Sequence, residues 1–249
     1  SRGGAMVALP PQARAGLFGK LPARGDFVRE NLPRDFTDAW DSWWLRGMAD
    51  TQQRYGEDWR EAWLEAPVWR FVLPPGLCGA GGVLGLWMPS VDRAGRYSPL
   101  TIAATAAADW APLVPAMMEF LDEAEEAGRD ALADDLSPAE LLQRIQEAFD
   151  ILVPIADPAL VLAPGQVALW TEGGPRVAER LMTSAALPEG RDFAVLIDER
   201  WGSDVDTQAK AETQAETEAE AKSERESEPE PEIVAEVAQP AKAAPTEGA

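Results

Sequence analysis

The chain has 249 residues, 46% of them hydrophobic, with no histidine, one cysteine and a formal net charge of −21. That length suits one well-cored domain with extensions, while the charge argues against nucleic acid or an anionic membrane as partner, since nothing would compensate their phosphates. Without histidine there is no Ser-His-Asp or Cys-His pair, no His-ligated zinc and no imidazole base, so only carboxylate, lysine or tyrosine chemistry survives.

No apolar run reaches the length of a membrane span, and no charged-then-apolar secretion signal opens the chain. A single cysteine, Cys78, excludes an internal disulfide and fits a reducing compartment. No metal or nucleotide motif stands in the sequence, and no cofactor is expected. Residues 1–14 read as a flexible N-terminus, with Ser1 to Ala5 an expression scar ahead of Met6.

Gly16-Leu17-Phe18-Gly19-Lys20 reads as a short edge strand, and Leu21-Pro22-Ala23-Arg24-Gly25-Asp26-Phe27 as a turn. The Gly19-Lys20 pair is no phosphate loop, because Leu21-Pro22 follows and the glycine spacing is missing. Over Pro33–Tyr55, Phe36, Trp40, Trp43, Trp44, Gly47 and Met48 fall on one face of a helix. Core packing is the reading for these rings, and a second short helix, Glu57–Glu65, pairs Trp59 with Trp63 at i, i+4. Pro67–Leu73, Gly79–Met88 and Leu100–Thr105 then read as three strands of an antiparallel meander. Cys78, between the first two, is a small residue in a turn with no histidine to activate it.

Between the second and third strands lies Pro89–Leu100, the most distinctive stretch of the chain. It carries Ser90, Asp92, Arg93, Arg96 and Ser98 between Pro89 and Pro99. Proline at each end is expected to stop strand pairing, and Gly95 to take the positive-φ position of a turn.

Asp109–Gly128 reads as a helix with Leu113, Met117, Phe120, Leu121 and Ala124 on one face. Ser137-Pro138-Ala139-Glu140 starts another, with serine at N-cap, proline at N1 and glutamate at N3, running to about Leu152. Val167–Thr171 and Phe193–Ile197 read as further strands. Strands on both sides of a helical block predict an α/β domain over 15–203, with a mixed sheet and helices on its faces. Residues 204–249 hold thirteen acids and four bases, a net −9, and read as a disordered acidic tail.

The motifs Gly16–Pro22, Gly25-Asp26-Phe27, Trp40, Trp43, Pro89–Arg93, Gly95-Arg96 and Pro99-Leu100 resemble the TagF/ImpM family. These are type VI secretion-associated proteins of Gram-negative bacteria. Leu169–Gly173, with Trp170, and Leu187–Leu196 resemble its C-terminal motifs, so the likeness covers about residues 16–198. Relatives often carry a doubled tryptophan where this chain has only Trp170. The resemblance implies a three-layer α/β/α sandwich. It also implies a cytoplasmic protein that represses the secretion apparatus after translation by sequestering the forkhead-associated scaffold protein Fha. Some relatives fuse the domain to a PP2C-type phosphatase, which the acidic residues after Ser203 cannot supply.

Three readings of the polar residues follow. In the first, the chain is a non-enzymatic binding module whose interaction residues are drawn from Lys20, Arg24, Asp26, Ser90, Asp92, Arg93 and Arg96. In the second, the same acids and guanidinium groups hold a small anion or a nucleotide, or serve an enzyme; paired with one another, they would simply pin the loops together. The third places a phosphothreonine at Thr213 or Thr217, among the glutamates of the tail.

Overall fold

The computed structural model describes residues 8–22, 27–133, 136–150 and 160–202. Seven strands form one sheet: β1 (Arg14–Lys20), β2 (Phe27–Glu30), β3 (Trp69–Leu73), β4 (Gly82–Val91), β5 (Tyr97–Ala106), β6 (Val167–Thr171) and β7 (Arg180–Ser184). Their order across the sheet is β2-β1-β5-β4-β3-β6-β7. The predicted meander is its centre, β3-β4-β5. One hairpin, β1/β2, extends it beyond β5, and another, β6/β7, beyond β3.

The expected mixed sheet is corrected: every strand pairing among the described residues is antiparallel. A helical block between strands reads as a parallel crossover. Here the block instead carries the chain past the sheet to the free side of β3, where β6 enters in the opposite direction.

Side chains alternate along the strands and feed two cores. Trp69, Phe71, Val83, Trp87 and Leu169 join α1 (Arg34–Tyr55) and α2 (Asp58–Glu65). Val72, Leu84, Leu86, Leu100 and Ile102 join α3 (Met118–Ala133) and α4 (Pro138–Phe149). This is the two-residue period of strands that are buried on both faces. The stripe predicted for α1 is buried throughout, from Phe36 to Met48. Trp44 sits in its middle, its ring centroid 4.6 Å from Trp87 and 5.1 Å from Phe193, both edge-on. Such pairs add about 0.5–1.5 kcal/mol each beyond the area they bury. Gly47 is required there, because a Cβ would lie 2.4 Å from the Phe193 ring.

Two element assignments change, and two strands are unexpected. Phe193–Ile197 is not a strand: a short helix, α5 (Arg191–Ala194), and the turn after it bury Phe193, Ala194, Leu196 and Ile197 against the tryptophans. A five-residue apolar run has no period to distinguish the two states when every side is covered. The helix expected from Asp109 begins as a 3₁₀ segment, Ala111–Met117, and turns α only at Met118. Pro112 and Pro115 lack the amide an α-turn needs. The strands β2 and β7 escape the sequence patterns, and the first falls partly in the expected turn. In α4 the expected capping box is present: Glu140 N donates to Ser137 Oγ at 3.3 Å, and Ser137 N to Glu140 Oε2 at 2.9 Å. Residues 1–7, the turn residues Ala23 to Asp26 and the acidic tail lie outside the described residues.

Candidate interaction site: the Asp92–Arg96 turn

The distinctive loop is shorter than its sequence suggests. Strand β4 continues to Val91 and β5 starts at Tyr97, so Pro89 pairs with Pro99 and Ser90 with Ser98. Proline was expected to end the pairing, and it does not. The hairpin projects past its neighbours: β3 pairs with β4 only as far as Trp87, and β1 with β5 only as far as Leu100. Each proline therefore lies where one side of its strand has no ladder to lose.

The turn itself is built on Asp92. Its Oδ1 accepts from the backbone N–H groups of Ala94 and Arg96, both at 2.9 Å, and its Oδ2 from Arg96 Nε at 2.7 Å. Lys20 Nζ stands 3.5 Å from the same Oδ2. The main chain closes the ring, with Asp92 N donating to Arg96 O and Gly95 N to Asp92 O. Gly95 takes φ +75, as expected. Aspartate suits this place because its short side chain reaches backbone amides two residues on.

The second strand of contacts ties the hairpin to the body. Ser90 Oγ donates to Lys20 O at 2.8 Å, and Trp63 Nε1 donates to Ser90 O at 3.2 Å. Trp59 packs edge-on against Tyr97 at 5.0 Å. The i, i+4 tryptophans of α2 thus support the hairpin from beneath, a role their spacing in the sequence does not reveal. Lys20 Nζ also lies 5.0 Å from the ring of Phe27, which is 49% exposed on β2.

Of the residues singled out in the sequence, Lys20, Ser90, Asp92 and Arg96 come together. Arg93 is exposed at the tip and makes no ion pair among the described residues. Arg24, Gly25 and Asp26 lie outside the described residues. Pro22 lies two residues past the end of β1. Gly19, at φ +134, lets the carbonyl of Pro99 approach. Trp40 and Trp43 belong to the tryptophan core, where their Nε1 groups donate to Thr101 Oγ1 and Pro188 O. Trp170 lies far off on β6, opposite Leu181. Cys78 is buried, and burial pushes its thiol up to about 11, so it is held protonated. Among the described residues no cluster of His, Cys, Asp and Glu could hold a metal, and no helix is long and apolar enough to cross a membrane.

The hydrogen bond from the Arg96 amide, joined by the Arg96 guanidinium and Lys20, holds the Asp92 carboxyl at about 2, against an ordinary 3.8 and against burial, which works in the other direction. A depressed carboxylate contributes stability above its unfolded pKa and loses it as pH falls through the folded value. Asp92→Asn is therefore expected to melt at a lower temperature than the parent at pH 7. The gap should narrow below about pH 4 and close near pH 2, which thermal melts across that range would show. A gap independent of pH would mean that the carboxylate charge does not hold the turn.

The chain is an antiparallel α/β domain whose sheet carries at one end a charged hairpin pinned by the Asp92 carboxylate. Residues 16–148 match the family model for the TagF N-terminal domain, type VI secretion system-associated. The chain belongs to that family. Among solved structures it is similar to the crystal structure of PA0076 from Pseudomonas aeruginosa PAO1, at 27% sequence identity and a TM-score of 0.63. The likeness covers 75% of this chain and 94% of that one. The search of curated proteins found no match.

Proposed function

We propose that the chain is a cytoplasmic, non-catalytic negative regulator of type VI secretion assembly, acting by binding the forkhead-associated scaffold Fha through the Asp92–Arg96 hairpin. The observation that carries this is how Asp92 is used. Both its oxygens are taken up inside the chain, which makes the turn rigid, and the Arg93 side chain is left outward beside Arg96. A rigid tip loses little conformational freedom on binding, and arginine is among the residues that dominate interface energetics. A carboxylate buried in its own turn is poorly placed to act as a base on a substrate. The alternative, a small anion or nucleotide held by the same cluster, would need Lys20 and Arg96 to leave Asp92 for the ligand.

The full chain is expected to bind purified Fha directly, and the joint substitution of Asp92, Arg93 and Arg96 by alanine to abolish that binding. Because loss of Asp92 also lowers the melting temperature, Arg93→Ala, which leaves the ring of bonds around Asp92 intact, is measured beside it and separates recognition from folding. Absence of binding by the well-folded parent chain would overturn the proposal.

A further inference from the structure

The two edges of the sheet are protected to different degrees. Strand β2 has four residues, of which Arg29 and Glu30 are charged, and α4 packs beside it. Charge and cover are the usual devices that keep a sheet edge from pairing with another chain. Strand β7, Arg180-Leu181-Met182-Thr183-Ser184, carries charge at one residue only. Its one charged residue, Arg180, is drawn to Glu199 at one end. It contains no proline, and its register with β6 runs without a bulge from Thr171↔Arg180 to Val167↔Ser184. Among the described residues its backbone hydrogen-bonds to β6 alone. A row of amide and carbonyl groups is therefore open along its outer side.

The side chains around that edge suit an added strand. Leu181, 48% exposed, shares a face with Trp170, and Met182 shares the opposite face with Leu169. Beside Met182 runs a surface groove of about 1000 Å³, lined in part by Trp43, Leu77, Leu169 and Leu187. Alternate side chains of an extended segment would thus meet apolar surface on both faces, the pattern by which strand addition gains specificity. A second copy is a poor occupant. Two five-residue strands bury far less than the roughly 1,200 Å² of a stable interface, and each copy brings a net charge of −21.

We infer that β7 is the docking edge for an extended segment of the partner, which adds to the sheet as an eighth strand with apolar or β-branched residues at alternate positions. This rests on the binding of Fha proposed above. Strand β7 lies three strands from β4, roughly 14 Å across the sheet. Met182 is level with Gly85, and Asp92 lies seven residues further along β4, about 23 Å, so a partner that reaches both the edge and the tip spans about 27 Å.

The test is hydrogen exchange on the full chain, free and with Fha, together with the affinity of the double variant Leu181→Lys, Thr183→Lys. Both side chains are exposed, and edge lysines oppose strand pairing without disturbing the core. The inference predicts slowed exchange over 181–184 on adding Fha, and an affinity about tenfold weaker in the double variant at an unchanged melting temperature. If Fha binds the parent chain but exchange at β7 does not slow and the variant binds equally well, the strand addition is wrong and the proposed function stands. Failure of Fha to bind the parent chain overturns both. Protection of β7 that appears on concentrating the chain alone would make a second copy the occupant and overturn the choice of partner.

Discussion

A chain ended after Asp150 is expected not to reach a packed native state, although the family match ends at Ala148. The lost residues fill the middle of the tryptophan core. Phe193 lies 5.1 Å from both Trp43 and Trp44 and is fully buried, as are Ala194, Leu196 and Ile197. Removing one such phenyl ring alone costs about 3–5 kcal/mol, a large share of the 5–15 kcal/mol that holds a typical domain together. Two indole N–H groups would also lose their acceptors, Trp43 that of Pro188 and Trp69 that of Leu196. Strand β3, buried on both faces, would become a sheet edge without β6. The shortened chain should keep far-ultraviolet circular dichroism, lose its near-ultraviolet signal and bind ANS. A sharp, cooperative melt would show instead that residues 16–148 form a complete core.

The second large effect is expected at Gly19. Its φ of +134 disfavours any side chain, and a Cβ there would lie 2.1 Å from the carbonyl oxygen of Pro99. Backbone strain of about 1–3 kcal/mol and overpacking of about 1–3 kcal/mol put Gly19→Ala at roughly 2–6 kcal/mol of destabilisation. The clash is with main chain, which cannot rotate away, so β1 must part from β5 and carry Lys20 with it. Gly95→Ala is the control: φ is +75, but nothing lies within 4 Å of the added carbon, and the cost should be only about 1–2 kcal/mol of strain. Chemical denaturation of the two variants compares them directly, and equal losses would contradict the account of Gly19.

The elements legible in the sequence are those with a long period or a cap. Helix α1 announces itself by six apolar positions over three turns, and α4 by Ser137, Pro138 and Glu140. The meander is visible because β3, β4 and β5 are apolar runs with marked turns between them. What escaped has a physical reason in each case. Strand β7 is half exposed and lies at an edge, so nothing forces an apolar pattern on it. The run Phe193–Ile197 is covered on all sides, so it has no polar face to reveal a period. In the hairpin the residue types were readable and their geometry was not. Pro89 and Pro99 look like strand breakers until the strands around them are known to stop short. That Asp92 would be consumed by its own turn follows from the Asx geometry, yet a sequence offers no means of telling that use from an outward-facing carboxylate.

The most direct test of the central claim, that this hairpin is a rigid recognition tip, is the affinity of Arg93→Glu for purified Fha, measured beside its melting temperature. Arg93 is exposed and takes no part in the ring of bonds around Asp92, so folding should be unchanged. Reversing the charge of a contact residue should weaken binding by about tenfold or more, equivalent to at least about 1.4 kcal/mol. An Arg93→Glu chain that binds Fha as tightly as the parent would show that the tip is not the surface the scaffold reads.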